Sequence, residues 1–253
     1  MTQIRGMGGA IVVCAAIGAI IIAATISFGH PSIIARAPGA NEEYGKRLMM
    51  RTTEYLGPDV ADSRMRFTKS RLACASCHID AGAEPGELSL IGAIERYPKI
   101  IDRINRCMTG NMNGRPLPAA SPEMAALISW LHFLADRDAA TGASEREPHD
   151  PQALRIPGRA ADPGAGEKVF EKRCADCHGT DGAGLPATRR IVDGYLFPPL
   201  WGPNSFNSAA EMADPALAAK FIKAKMPLGQ PDLDNDQAFD VAAFIATKPR
   251  PHK

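Results

Sequence analysis

The chain has 253 residues, a length that allows either one large domain or two small ones. Its 29 Lys and Arg side chains are nearly balanced by 28 Asp and Glu side chains, which argues against a nucleic-acid-binding protein. The chain has six cysteines, and their positions carry most of the information about function.

Residues 1–37 form a predicted leader. They contain no Asp or Glu, and Arg5 precedes an uncharged run from Ile11 to Phe28. This run is longer than the apolar core of an ordinary signal peptide and short for a membrane span. The leader is therefore predicted to be a signal peptide, cleaved near Ala35-Arg36-Ala37, or an N-terminal membrane anchor. Both interpretations export the rest of the chain to the periplasm.

The predicted elements of the first half are helices. Asn41 caps a helix that extends to Tyr55, with acidic residues in its first turn. Residues 97–108 carry isoleucines at helical spacing. The dipeptide Ser121-Pro122 combines a cap residue with proline at the first helical position, so a helix is predicted from there through Leu134.

The second half repeats this plan after a linker. Residues 141–161 are rich in Pro, Gly and charged side chains and show no periodicity, so they are predicted to be the linker. A helix from Gly164 leads into a cysteine motif, and a closing helix is predicted from Asn235 to Thr247. No strand is needed to account for either half.

Each half contains one C-x-x-C-H motif, the attachment signal for c-type haem. The residues are Cys74, Cys77 and His78 in the first motif, and Cys174, Cys177 and His178 in the second. The thiols form thioethers with the haem, and the histidine binds the iron. A zinc site would require further Cys or His ligands to complete each tetrahedral set. The prediction is therefore an all-α protein with two covalent haems, one in each class I cytochrome c-like domain, at residues 38–140 and 162–253.

The distal ligand of the second haem is predicted to be Met226. After His178 the only methionines are Met212 and Met226, and Met226 lies shortly before the closing helix, where a small cytochrome c places its distal methionine. The alternative is that Met226 only fills the core. The adjacent Lys225 is either a second ligand, binding ferric iron as a neutral amine, or a solvated cation.

The remaining exported cysteine, Cys107, is unassigned by the haem motifs. One interpretation is that Cys107 binds ferric iron as a thiolate ligand. The alternatives are that it is a small buried side chain or that it forms an intermolecular disulfide. Three methionines in the first half also offer a sulfur to the iron, and spacing alone leaves the choice open: Met108, Met112 and Met124.

Several segments carry a more specific signal. They are CASCHIDAG at 74–82, DRINRCM at 102–108, MNGRPLP at 112–118, FPPLWGP at 197–203 and Lys225-Met226-Pro227. Together they resemble the dihaem thiosulfate dehydrogenases, relatives of the haem-bearing Sox cytochromes, over roughly residues 40 to 250. The stretch between Gly82 and Arg103 is shorter than this family leads us to expect, and position 111 holds Asn in place of Ser.

The resemblance implies a reaction and a set of ligands. The reaction joins two thiosulfates into tetrathionate, or runs in reverse, and a small cytochrome c or a similar acceptor takes the electrons. Cys107 is implied as the distal thiolate of the first haem, opposite His78. Met226 is implied for the second haem, opposite His178, with Lys225 as a redox-dependent alternative.

A sulfur oxyanion such as thiosulfate is a dianion and needs cationic donors near the iron. Arg103, four residues before Cys107, is predicted to share its helix face, and Arg106 is the second candidate. Asn111 can donate hydrogen bonds to an oxyanion. The predicted catalytic set is therefore Cys107, Arg103, Arg106 and Asn111. The alternatives are a dihaem electron carrier that serves another dehydrogenase, or an enzyme that acts on a different sulfur substrate.

Overall fold

Helices and irregular loops make up nearly all of the structure. The computed structural model describes residues 40–142, 154–188 and 193–253. The predicted leader and part of the predicted linker lie outside these ranges. Within them, no helix is both long enough and apolar enough to span a membrane.

The first half contains five α-helices: α1 at Ala40–Met50, α2 at Thr52–Leu56, α3 at Ala93–Arg96, α4 at Ile100–Thr109 and α5 at Pro122–Thr141. The second half contains α6 at Pro163–Arg173, α7 at Ala175–His178, α8 at Pro215–Lys225 and α9 at Asn235–Ala246. Short 3₁₀ turns lie at Ser63–Met65, Cys74–Ser76, Ile79–Gly82 and Glu211–Ala213. Two short strands, β1 at Leu185–Pro186 and β2 at Tyr195–Phe197, pair antiparallel with a bulge.

The prediction of an all-α fold is confirmed, and the boundaries of the three helices predicted in the first half differ from those expected. The first predicted helix is broken at Arg51, whose φ of −129° and ψ of 42° are not helical. The second begins at Ile100 rather than at residue 97. The third continues beyond Leu134 to Thr141, where Gly142 closes it in the left-handed conformation. The small sheet and α8 were not expected from the sequence.

The core of the first half lies between α1 and α5. Gly45 brings the two helices together, because a Cβ at this position would lie 2.1 Å from the carbonyl oxygen of Ala126. The indole Nε1–H of buried Trp130 donates a hydrogen bond of 2.8 Å to the carbonyl of Ala81. This bond ties α5 to the turn that follows the first haem motif.

The core of the second half lies between α6, α8 and α9. Gly166 allows the close approach of α6 to α9, because a Cβ there would lie 2.0 Å from the carbonyl oxygen of Asp240. The cluster is formed by Phe170, Ala218, Ala219, Ile222, Leu233, Ala238, Val241, Ala242, Phe244 and Ile245. Cys174 and Ala175 of the second C-x-x-C-H motif pack against this cluster.

The two halves contact each other directly. The backbone N–H of Asn207 donates to the carbonyl of Gly110, and its side-chain amide donates to the carbonyl of Thr109 at 2.9 Å. In the predicted linker, the Arg159 guanidinium forms two hydrogen bonds of 2.8 Å with the Asp240 carboxylate, so this part of the chain is fastened to α9.

Candidate functional site

A large cavity opens beside the first C-x-x-C-H motif. It has a volume of about 420 Å³, within the range of roughly 300–1,000 Å³ that is usual for ligand and cofactor sites. Cys74, Cys77, His78 and Cys107 all line it. Most of the other lining side chains are apolar, among them Leu48, Leu56, Leu72, Ile100, Ile104, Leu127 and Leu131.

The imidazole of His78 is oriented by the loop that follows the motif. Its Nδ1–H donates to the carbonyl of Leu88 at 2.7 Å, since a carbonyl oxygen can only accept. Burial lowers the pKa of His78, which keeps the ring neutral and leaves the Nε2 lone pair available to a metal. This is the arrangement that an iron-binding histidine requires.

These residues fit a covalent haem. Two thiols stand in the wall of an apolar cavity large enough for a cofactor, and a histidine with a free Nε2 stands beside them. The backbone N–H of Cys74 is held at 3.0 Å by the hydroxyl of Thr52, which fixes the start of the motif against α2.

Cys107 lies in the last turns of α4 and lines this cavity together with the motif residues. Burial raises the pKa of its thiol, and the cation of Arg103 and a hydrogen bond from Asn111 oppose that rise. The other amide atom of Asn111, Oδ1, is buried without a hydrogen-bond partner among the described residues. The thiol therefore lies between two polar groups that stabilise its anionic form.

The methionines that compete with Cys107 as ligands differ in position. Met108 and Met112 are buried and line the same cavity, so the structure keeps them close to the motif. Met124 is fully buried in α5 and does not line it.

Arg103 is the candidate arginine that lines this cavity together with Cys107. Its guanidinium forms a two-pronged ion pair with Glu211, with 2.7 Å between Nη2 and Oε2, and it lies 5.2 Å from the centre of the Tyr97 ring. This pairing raises the pKa of Arg103 and lowers that of Glu211. Arg103 is therefore a rigidly held cation whose charge is largely balanced by Glu211.

Arg106 and Arg115 do not line this cavity, whereas Arg96 does. Arg106 is exposed on α4. Arg115 donates to the carbonyls of Arg64 and Arg66 and stacks on Phe67, with 3.7 Å between its Cζ atom and the ring centre.

A second, smaller cavity of about 150 Å³ adjoins Cys107. The first half contributes Arg103 and Asn111 to its wall, besides the motif residues Cys77 and His78 and the loop residues Glu87 and Leu88. The second half contributes Glu211, Met212, Leu217, Lys220 and Phe221. Sequence reasoning missed Glu211 and Lys220, because nothing in their local pattern indicates that they meet residues about one hundred positions away.

The second C-x-x-C-H motif is held in a similar way. The Nδ1–H of His178 donates to the carbonyl of Pro198 at 2.8 Å, and burial lowers the pKa of this histidine. Cys174 and Met226 both pack against the core of the second half, whereas Cys177 is exposed. The residues therefore fit a second haem, with one edge near the surface.

Unlike Met226, which packs against the core of the second half, Lys225 contacts the first half. Its Nζ donates to the Glu84 carboxylate at 2.8 Å and to the carbonyl of Pro85 at 2.7 Å, and only 11% of its side chain is exposed. In this arrangement Lys225 ties the end of α8 to a loop of the first half.

Comparison with known proteins agrees with this description. The cytochrome c family model matches residues 164–248. A thiosulfate dehydrogenase from Allochromatium vinosum is 38% identical over 211 residues, which cover 73% of this chain and 72% of the relative. Another from Stutzerimonas stutzeri is 32% identical over 238 residues, which cover 86% and 70%.

A solved structure extends the similarity to the fold. The thiosulfate dehydrogenase TsdBA from Marichromatium purpuratum, in its "as isolated" form, superposes with a TM-score of 0.72 at 29% identity. The match covers 88% of this chain and 49% of that one, so this chain spans about half the length of the solved chain.

Proposed function

Because this chain belongs to the thiosulfate dehydrogenase family, whose members are cytochrome c oxidoreductases, we propose that it oxidises thiosulfate to tetrathionate at its first haem site. Two thiosulfate dianions form one sulfur–sulfur bond and become one tetrathionate dianion, with release of two electrons and no proton. The observation that carries the proposal is the position of Cys107. This thiol lines both the large cavity of the first motif and the small cavity that holds Arg103.

Two haems, if attached at the two motifs, would supply one-electron redox chemistry. In the first site, His78 and Cys107 are the residues proposed to hold the iron. In the second site, we propose His178 and Met226, with Lys225 as an alternative in one redox state. A thioether ligand favours ferrous iron, so the second site is the proposed electron exit.

The side chains around Cys107 perform the binding steps. The N–H groups of Arg103 that Glu211 leaves free can donate to the sulfonate oxygens of a thiosulfate, and Asn111 holds the cysteine sulfur. Leu217 and the buried Phe221 form an apolar part of the small cavity. The outer sulfur of a bound thiosulfate can thereby approach the Cys107 sulfur.

The electron acceptor is proposed to be a small cytochrome c or a similar periplasmic protein, with this chain exported or anchored through its leader. Cys177 is exposed, so part of the second motif lies at the surface, where a redox partner can approach it.

The proposal is tested with the purified dihaem protein, thiosulfate and ferricyanide. Reduction of ferricyanide with formation of one tetrathionate for every two electrons is the expected result. A protein with two intact haems that reduces no ferricyanide with thiosulfate, and no tetrathionate in the reverse assay, would instead be an electron carrier or act on a different sulfur compound.

A further inference from the structure

Helix α8 lies along the small cavity and is fastened to the first half near both of its ends. Glu211, in the turn just before α8, pairs with Arg103 of α4. Lys225, the last residue of α8, is bonded to Glu84 and to the carbonyl of Pro85. These two ion pairs hold the middle of α8 against the cavity beside Cys107.

The side chains that α8 presents to this cavity are Leu217, Lys220 and Phe221, which are three and four positions apart on one helix face. Asp214 and Pro215 fix the start of the helix, because the Asp214 carboxylate accepts hydrogen bonds from the N–H groups of Ala216 and Leu217. The position of Lys220 is thus set by both the helix and its two ties.

The charges that line the cavity fall into two groups. Arg103 and Glu211 neutralise each other in their ion pair. The side chains of Lys220 and Glu87 also line the cavity, and neither side chain forms a hydrogen bond or an ion pair within the described residues. Of the four charged side chains that line the cavity, these two are therefore the ones without an ion-pair partner there, and they have opposite signs.

We propose that Lys220 is a specificity-determining residue that binds the sulfur-oxyanion dianion beside Cys107, and that Glu87 opposes this binding. The proposal rests on the proposed oxidation of thiosulfate. Arg103 orients the anion through directed N–H groups, but its charge is offset by Glu211. The ammonium of Lys220 supplies the net positive charge, and its three donors match the three sulfonate oxygens without demanding one geometry.

The expected effects follow from Coulomb's law. A unit charge about 6 Å from a dianion in watery surroundings changes binding by up to about tenfold, and salt reduces this effect. We expect Lys220→Gln to raise the KM for thiosulfate about three- to tenfold with kcat unchanged, since a residue that binds the ground state and the transition state equally acts on KM. Lys220→Arg should keep the KM near that of the parent protein.

The opposite change is expected at Glu87. Glu87→Gln should lower the KM for thiosulfate about three- to tenfold, and the double variant Lys220→Gln/Glu87→Gln should return it close to the parent value. The control is Lys168→Gln, which removes an exposed charge on α6 that lines neither cavity.

All variants are assayed as dihaem proteins with ferricyanide as acceptor, at two salt concentrations. If the parent protein is active and the Lys220 and Glu87 variants have the same KM as the parent, the inference is overturned while the proposed function stays intact. An equal rise of KM in Lys168→Gln would have the same consequence. A parent protein without thiosulfate-dependent activity would instead overturn the proposed function, and with it the inference.

Discussion

The two halves of the chain carry the same C-x-x-C-H motif in different surroundings. In the first half, Cys107 and Arg103 line both a large cavity and a small charged one, and Glu211 of the second half pairs with Arg103 at the small cavity. In the second half, the motif packs against a cluster of aromatic and aliphatic side chains that includes Phe170 and Phe244. Under the proposed function, the same attachment motif serves two tasks, and the side chains around each motif decide which one.

The physical requirements of the tasks explain the difference. A site that transforms a dianion needs room for it, donors for its oxygens and a reactive sulfur at hand. A site that only transfers electrons works best when its ligands and surroundings are held by packing. Variants of the two sites test whether thiosulfate is oxidised at the first site and electrons leave through the second.

The largest effect is expected for Cys107→Gly. Loss of the sulfur should lower thiosulfate oxidation by at least about a thousandfold, because the proposed reactive group is removed while the cavity stays open. The measurement is thiosulfate-dependent ferricyanide reduction, together with a haem stain and absorption spectra that show both haems attached. The matched control is Met112→Leu, since Met112 lines the same cavity from the next turn of the chain. Comparable losses in both variants would remove the special role of Cys107.

A smaller effect is expected for Arg103→Gln. Loss of a held cationic donor should lower kcat/KM for thiosulfate about a hundredfold. Arg106→Gln should have little effect on kcat/KM, because Arg106 is exposed and lines neither cavity. Steady-state kinetics of the two variants provide the comparison, and an equal loss in both would show that α4 acts through its overall charge.

Contacts between residues that are close in the sequence could be predicted, whereas contacts between distant residues could not. The motif cysteines and histidines lie within five residues, and Arg103 lies one helical turn before Cys107, so their proximity follows from helix geometry. Ser121-Pro122 and Asp162-Pro163 mark the starts of α5 and α6. Asp214-Pro215 marks α8 by the same signal, which was available in the sequence and was missed.

The residues that form the wall of the small cavity could not be predicted from local sequence, because they meet only through tertiary contacts. Glu211 meets Arg103 across 108 positions of the chain, and Lys225 meets Glu84 across 141. No periodicity or spacing rule links such residues, since their contact is decided by how the two halves pack. The fold class and the grouping of Cys107 with Arg103 at the first motif were therefore predictable, whereas the second-half residues that complete the pocket were not.

A change of redox property rather than of activity is expected for Met226→Leu. Loss of a thioether ligand should lower the reduction potential of the second haem by on the order of 100 mV. Met212→Leu is the control, because Met212 is the other methionine of the second half and lines the small cavity beside Cys107. Potentiometric titration followed by absorption spectra separates the two haems. A shift caused by Met212→Leu instead would assign the ligand to Met212.

The smallest effect is expected at the tie between Glu84 and Lys225. To bind the second haem iron as proposed, Lys225 would have to leave Glu84 and lose a proton, so the ion pair with Glu84 opposes this ligation. Because 43% of the Glu84 side chain is exposed, the ion pair is worth at most about 1 kcal/mol. Glu84→Gln should therefore raise the ratio of amine-ligated to Met226-ligated oxidised protein by no more than about fivefold, as measured by low-temperature EPR. Lys225→Gln should abolish the amine-ligated form, and an unchanged oxidised spectrum in that variant would make Lys225 a tie between the halves and not a ligand.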